Sequence, residues 1–197
     1  MQDELRKTIA AARSGDRVAL DSLFARHLPA LTAFLRCKVD GELAQRESIR
    51  DLAQSVCREV IADLEAIEYR GDEAFRGWLF LQATRKILDR YRYHRRARRA
   101  GSKEELLPED DDAELLQQYA SICTPSRHAV GKEQLARVEA AMRQLPEGQR
   151  DAVLMSRLGG IAYSEIAQQL GVTESAVRGL VARGLARVAE LLGDDGG

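Results

Sequence analysis

The chain has 197 residues, of which 45% are hydrophobic and 31% charged, with a formal net charge of −1. This leaves room for one ordinary domain or two small ones with a buried core. Three scattered cysteines without a CxxC pair argue against a disulfide framework and a zinc site, no apolar run suggests a membrane span, and Met1-Gln-Asp-Glu does not begin a signal peptide.

Aromatics are scarce at 5%, whereas Ala, Leu, Arg and Glu abound, a balance that favours helices. Leu20, Leu23, Phe24, Leu28, Leu31 and Leu35 recur at helical spacing, and Pro29 is expected to start a new turn or to kink the helix. A second helix carries Leu52, Val56, Val60, Ile61 and Leu64 on one face, with Asp51, Gln54, Ser55, Arg58, Glu59 and Asp63 opposite. A polar face of this kind is by default a solvated one. Gly71 marks a loop, after which Phe75, Leu79, Ala83, Ile87 and Tyr91 step by four along a long amphipathic helix.

That helix ends in a basic run. Between Arg85 and Arg99 stand eight Lys or Arg residues and the single acid Asp89, whereas Glu104, Glu105, Glu109 to Asp112 and Glu114 follow. The near-neutral total therefore conceals strong segregation, and it is the local field that decides where a polyanion docks. Cations interleaved with Tyr91, Tyr93 and His94 suit single-stranded or distorted DNA, although a solvated basic face would look the same. Residues 101–124 lack an apolar stripe and read as a flexible acidic linker.

Periodicity returns at Leu135, Val138, Met142 and Leu145 and breaks at Pro146; helices are expected over about 147–158, 163–170 and 174–192. No alternating strands are visible. The fold expected is all-α, with an N-terminal helical bundle at 1–100 joined by the linker to a helix-turn-helix domain at 125–197. Within the latter, Ile166, Ala167 and Leu170 form the buried side of a short helix, Gly171 permits a left-handed ending, and Thr173 can cap the next helix. That spacing aims Glu174, Ser175 and Arg178 at base edges in a major groove and leaves Arg183 and Arg187 for phosphates. A plain three-helix bundle is the alternative, and many regulator families share the motif.

Five strings, in the family's order along the chain, narrow the choice. Tyr69-Arg-Gly-Asp-Glu-Ala-Phe-Arg-Gly-Trp-Leu79 resembles the F-R-G-D-x-A-F-x-x-W-L stretch of extracytoplasmic-function (ECF) sigma factors. Asp51-Leu-Ala-Gln-Ser-Val56 is similar to their D-L-x-Q-x-V helix, and Ser14 to Phe24 to their opening G-D-x-x-A-F-x-x-L-Y pattern. Leu145-Pro-Glu-Gly-Gln-Arg150 and Gly160 to Ala167 look like the family's L-P-x-x-x-R and G-x-S-Y-x-E-I-A.

The resemblance implies an alternative sigma factor that brings RNA polymerase core to particular promoters and helps melt the DNA. Its second region, about 15–99 here, would bind core and the minus-ten element; its fourth region, about 125–192, would bind the β flap and read the minus-35 element. By resemblance, Asp51, Gln54, Ser55 and Arg58 face the β′ clamp helices. Tyr69, Arg70, Asp72, Arg85, Lys86, Arg92, Arg95 and Arg96 serve the minus-ten DNA, with the loop from Glu68 to Glu73 capturing a flipped base. The polymerase performs the catalysis in the cytoplasm, so no catalytic residue, cofactor, metal or membrane insertion is expected. Relatives are often held by anti-sigma factors, although no residue here identifies one.

Departures from the family pattern stand at Ala162, where a Ser or Thr cap is common, at Arg85, where an Asn is common, and at Gly179-Leu180 in place of a polar-basic pair. Rival readings fare less well. A conventional DNA-binding regulator would need a receiver or ligand-binding domain, and residues 1–100 show no alternating strands for one. A nucleic-acid enzyme would need a P-loop, an HExxH motif or a clustered metal set, and His27, His94 and His128 are far apart. A protein-interaction module, with the linker acids folding back on the basic run, is a third.

Overall fold

The computed structural model describes residues 2–39, 41–64, 71–96, 117–120, 122 and 132–193, and among them every regular element is helical. The first half comprises α1 (Gln2–Arg13), α2 (Arg17–Lys38), the short α3 (Gly41–Ala44), α4 (Ile49–Asp63) and α5 (Asp72–Arg96). The second comprises α6 (Lys132–Arg143), α7 (Glu147–Val153), a π-helical turn (Leu154–Leu158), α8 (Tyr163–Leu170) and α9 (Glu174–Gly193).

Local chemistry explains several of the boundaries. Between α1 and α2 the chain turns at Gly15 with φ +86°, a region that favours glycine. The Asp16 carboxylate then accepts from the Val18 and Ala19 amides at 2.9 and 3.3 Å, capping α2. This turn gives the Ser14-Gly-Asp string its physical meaning. Ser48 caps α4 by accepting from the Asp51 amide at 3.0 Å, and its hydroxyl donates to the Asp51 carboxylate at 2.8 Å.

Pro29 lies inside α2 and does not divide it. The periodic apolar residues that precede and follow it belong to one continuous 22-residue helix. By length and composition α2 is apolar enough to cross a bilayer, which the sequence reading missed. The protein itself covers it. From Ala30 to Val39 every residue except Arg36 is buried, on all sides of the helix, as expected of a helix enclosed by neighbours rather than lying on a surface.

In the first half, Leu23, Leu31, Phe34 and Leu35 of α2 share a core with Leu52, Val56 and Val60 of α4 and with Phe75, Leu79, Phe80, Ala83 and Ile87 of α5. The Phe34 and Phe80 rings lie 4.7 Å apart. In the second half, Leu135, Val138 and Met142 of α6 meet Val153, Leu154 and Leu158, together with Ile166 of α8 and Val177, Val181 and Val188 of α9. Helix α9 passes close to α7 at Gly184, where an added Cβ would stand 2.7 Å from a Val153 methyl. A larger residue at 184 would push these helices apart.

The two halves also touch. Helix α2 packs on α6 and on the π-helical turn, an ideal Cβ on Gly159 would lie 3.1 Å from the Phe80 ring, and one on Gly77 would lie 3.2 Å from Cγ1 of Ile161. Most of the acidic linker lies outside the described residues. Its far end does not fit a featureless tether: a helical turn at 117–119 buries Tyr119 completely, and Ile122 is buried as well. A solitary aromatic makes no periodic pattern, so the sequence offered no sign of it.

Candidate nucleic-acid and polymerase interfaces

The helix-turn-helix forms with the expected register. Helix α8 ends at Gly171 with φ +66°, and the Thr173 hydroxyl accepts from the Ala176 amide at 3.2 Å to cap α9. Val177 and Val181 are buried on the inner face of α9, and Leu180 packs against the same core. Glu174, Ser175, Arg178, Arg183 and Arg187 are all exposed. Arg178 reaches back to Glu174 at 2.7 Å, and Arg187 pairs with Glu190 at 3.1 Å. Arg183 and Arg187 line an open depression of about 510 Å³ between the α6–α7 turn and α9, together with Gln144 and Gln149. Ala162 stands at the N-cap of α8 without a side-chain hydrogen bond.

Three of the four α4 residues, Asp51, Gln54 and Arg58, are exposed along one side of that helix, and the exposed Ile61 continues the strip. Ser55 is not among them. It is buried at 7% exposure between Leu52 and Val56, because α4 is covered over a wider arc than the polar face implied. Ile61 moves the other way: assigned by spacing to the apolar face, it is 45% exposed.

The basic helix α5 is more entangled than its sequence suggests. Arg85 and Arg92 are exposed, and Arg92 pairs with Asp89 at 3.1 Å. Lys86 is tied to Glu59 of α4 at 2.5 Å. Glu47 meets two side chains of α5, His94 Nε2 at 2.6 Å and the Arg90 guanidinium at 3.3 Å. Glu47 and Glu59 were not read as part of this site, and they are 43 and 27 or more positions distant from the groups they meet, so nothing in their local sequence marks them. Tyr93 and Leu88 are exposed on the same helix. Arg95 and Arg96 fall on its last turn, and the side chains of both lie outside the described residues, as do Tyr69 and Arg70.

Asp72, at the start of α5, turns towards the protein. Its carboxylate accepts from the Arg26 guanidinium at 3.2 and 3.1 Å and lies 3.2 Å from Nε2 of His27. His27 is buried against the Phe75 ring, with centroids 5.0 Å apart. Burial lowers its pKa to about 4, outweighing the pull of Asp72 in the other direction, so the imidazole is neutral at pH 7. Asp72 thus joins the first turn of α5 to α2.

The thiols of Cys37 and Cys57 are free, and burial pushes them up to about 12 and about 11, which keeps them protonated and unreactive. Among the described residues, no group of three His, Cys, Asp or Glu side chains converges as a metal site.

Comparison with known proteins agrees with this arrangement. Residues 23–97 match Sigma-70 region 2, and residues 135–188 match Sigma-70, region 4. The RNA polymerase sigma factor CnrH of Cupriavidus metallidurans is 29% identical over 196 residues, covering 98% of this chain and 97% of that one. The ECF RNA polymerase sigma factor SigM of Mycobacterium tuberculosis is 30% identical over 185 residues, covering 94% and 83%. Among solved structures, CnrH in complex with the cytosolic domain of CnrY superposes with a TM-score of 0.59 at 26% identity, covering 96% of this chain and 97% of that one. The chain therefore belongs to the sigma-70 family, in its extracytoplasmic-function branch, and is an alternative sigma factor that directs transcription initiation.

Proposed function

We propose a division of labour along this chain, with domains at 1–100 and 125–197 joined by an acidic linker at 101–124. Asp51, Gln54 and Arg58 on α4 meet the β′ clamp helices of RNA polymerase core. The observation that carries the reading is the outward face of α9: Glu174, Ser175 and Arg178 stand exposed at the start of a capped second helix, the geometry in which a helix-turn-helix presents its readers to a major groove. In this reading they contact the minus-35 element, Arg183 and Arg187 take phosphates, and this same domain engages the β flap.

The minus-ten element falls to α5 and the loop before it. Tyr69 and Arg70 of that loop frame a flipped base, whose extrusion costs a few kcal/mol. Arg85, Lys86, Arg92, Arg95 and Arg96 hold the freed strand by its phosphates. Asp72 is best supported in a positioning role, since the Arg26 guanidinium already occupies its carboxylate. Ser55 contributes by packing rather than by contact with polymerase, given its burial. The chain supplies no catalytic group; the polymerase makes the RNA, in the cytoplasm. CnrH has been solved with the cytosolic domain of CnrY, which supports a comparable protein partner, such as an anti-sigma factor, for this chain.

Runoff transcription with purified bacterial core polymerase and genomic promoter fragments, with and without the protein, tests the reading. Transcripts that appear only with the protein are expected; no transcripts together with no binding to core would overturn it. Replacing both Arg92 and Arg96 by Ala is expected to weaken promoter opening and to flatten the salt dependence of promoter binding by about two counterions. An unchanged slope in a salt titration counts against their role.

A further inference from the structure

Helix α4 ends and helix α5 begins at two points that side chains of α1 and α2 hold. At the end of α4 the last carbonyls have no partner within the helix and carry the negative end of its dipole, so a cation placed there is favoured. Nε of Arg13, in the last turn of α1, donates to the Leu64 carbonyl at 3.0 Å, and the Leu64 side chain is buried in the core. The two residues are 51 positions apart. Arg13 also precedes residues 23–97, which match Sigma-70 region 2, so that match gives it no role.

At the start of α5, Gly71 has φ +119°, a backbone that favours glycine, and its carbonyl accepts from the Phe75 amide at 3.0 Å. The Arg26 guanidinium grips the Asp72 carboxylate with two hydrogen bonds, Nε to Oδ1 at 3.2 Å and Nη2 to Oδ2 at 3.1 Å. A paired fork of this kind fixes the direction of both groups as well as their separation.

Both arginines belong to one hairpin. They stand on either side of the Gly15-Asp16 turn, in which Asp16 caps α2, and α1 packs on α2 with Ile9 and Ala12 buried. The contacts they make add little to stability. The side chains of Arg26 and Asp72 are 43% and 33% exposed, and water screens such pairs. What they supply is direction.

Resting on the proposed assignment of a flipped base to Tyr69 and Arg70, which lie between these two points in the sequence, we propose that Arg13 and Arg26 are positioning residues for promoter opening. From the α1–α2 hairpin they fix the end of α4 and, through Asp72, the start of α5. A binding constellation works only when held to within about 0.5 Å of its productive geometry, and two anchors on one hairpin set the distance across which the minus-ten base is received.

Full-length variants are compared with wild type, each bound to purified core polymerase, on a promoter fragment that wild type transcribes. A fluorescent base analogue in the minus-ten element reports unstacking. Arg13→Leu and Arg26→Ala are each expected to slow opening about tenfold, the effect of losing one charge-assisted hydrogen bond, while affinity for core and melting temperature stay those of wild type. Arg13→Lys, which keeps a donor and the charge, should open DNA as wild type does. Arg26→Ala combined with Asp72→Ala should be no slower than either alone, since each acts through the other.

Opening at the wild-type rate in both Arg13→Leu and Arg26→Ala would overturn the proposal. So would a parallel fall in core affinity and melting temperature, which marks a merely structural role, or additive losses in the combined variant. Tyr69→Ala together with Arg70→Ala separates the two readings. If that variant opens DNA normally, the flipped base is received elsewhere and both readings fall. If it is defective while the arginine variants are not, the assignment of the base stands and only the positioning role is lost.

Discussion

Helices α5 and α9 each carry cations that the sequence marks for DNA, yet they present them differently. On α9, Arg178 and Arg187 pair within their own helix, with Glu174 and Glu190, and remain exposed. On α5, Lys86, Arg90 and His94 are held by Glu59 and Glu47, which come from α4 and from the segment before it. The first surface is the product of one helix and its cap. The second exists only once distant parts of the chain have assembled, and part of its charge is already balanced. Under the proposed division of labour the minus-35 reader is preformed, whereas the minus-ten surface exchanges internal acids for phosphates as DNA arrives. Such an exchange makes binding more selective for a partner that offers several phosphates together.

The largest effect expected from this contrast falls on the tertiary side. The unfolded chain takes up a proton on His27 near pH 6.5, whereas the folded protein resists until about pH 4. The folded pKa is depressed, so the stability in question is fully present above pH 6.5 and is lost as pH falls towards 4. The difference amounts to about 3 kcal/mol at the lower end. Denaturant unfolding at pH 7 and pH 4.5 should show this loss in wild type and a flatter profile in His27→Gln. Equal profiles would mean that the imidazole is not buried in its neutral form.

Arg178→Ala should cost about 2 kcal/mol of discrimination at one minus-35 base pair, with no change in thermal stability, because Arg178 is exposed and pairs with the neighbouring, equally exposed Glu174. Competition binding against singly substituted promoters measures it. Loss of affinity spread evenly over all sequences would instead make Arg178 a phosphate contact. Glu47→Gln tests the other helix. Freed from its acid, Arg90 should steepen the salt dependence of DNA binding by about one counterion. If the slope stays the same, Glu47 does not mask that cation. The smallest effect is a gain. Ala162 has the extended backbone of an N-cap but no side chain that can accept a hydrogen bond, so Ala162→Ser should raise the stability of the second domain by about 1 kcal/mol in thermal unfolding.

The second domain was the more legible of the two. Its turn, cap and apolar positions recur within a few residues of one another, and all five candidate α9 side chains proved to be exposed. In the first domain the four-residue steps of α5 were equally plain, and Phe75, Leu79, Ala83 and Ile87 are buried as that spacing requires. Its polar face was less so. Ser55 and Ile61 exchanged places relative to expectation, because spacing gives a helix a direction for each side chain but not the width of the arc its neighbours cover.

Composition, periodicity and capping residues determined that this protein is helical, where most of its helices begin and end, and that its second half forms a helix-turn-helix, because these depend on hydrogen bonds and side-chain directions within a few residues. Only the tertiary structure decided which acids answer the basic helix, that Asp72 is held by Arg26 beside a buried His27, that Lys38 meets Asp151, and that Tyr119 reaches the Ala33 carbonyl. Each of these contacts joins residues tens of positions apart. Their energies depend on shared burial and on charges brought together by packing, and no local pattern in a chain records which distant residue will come to lie beside another.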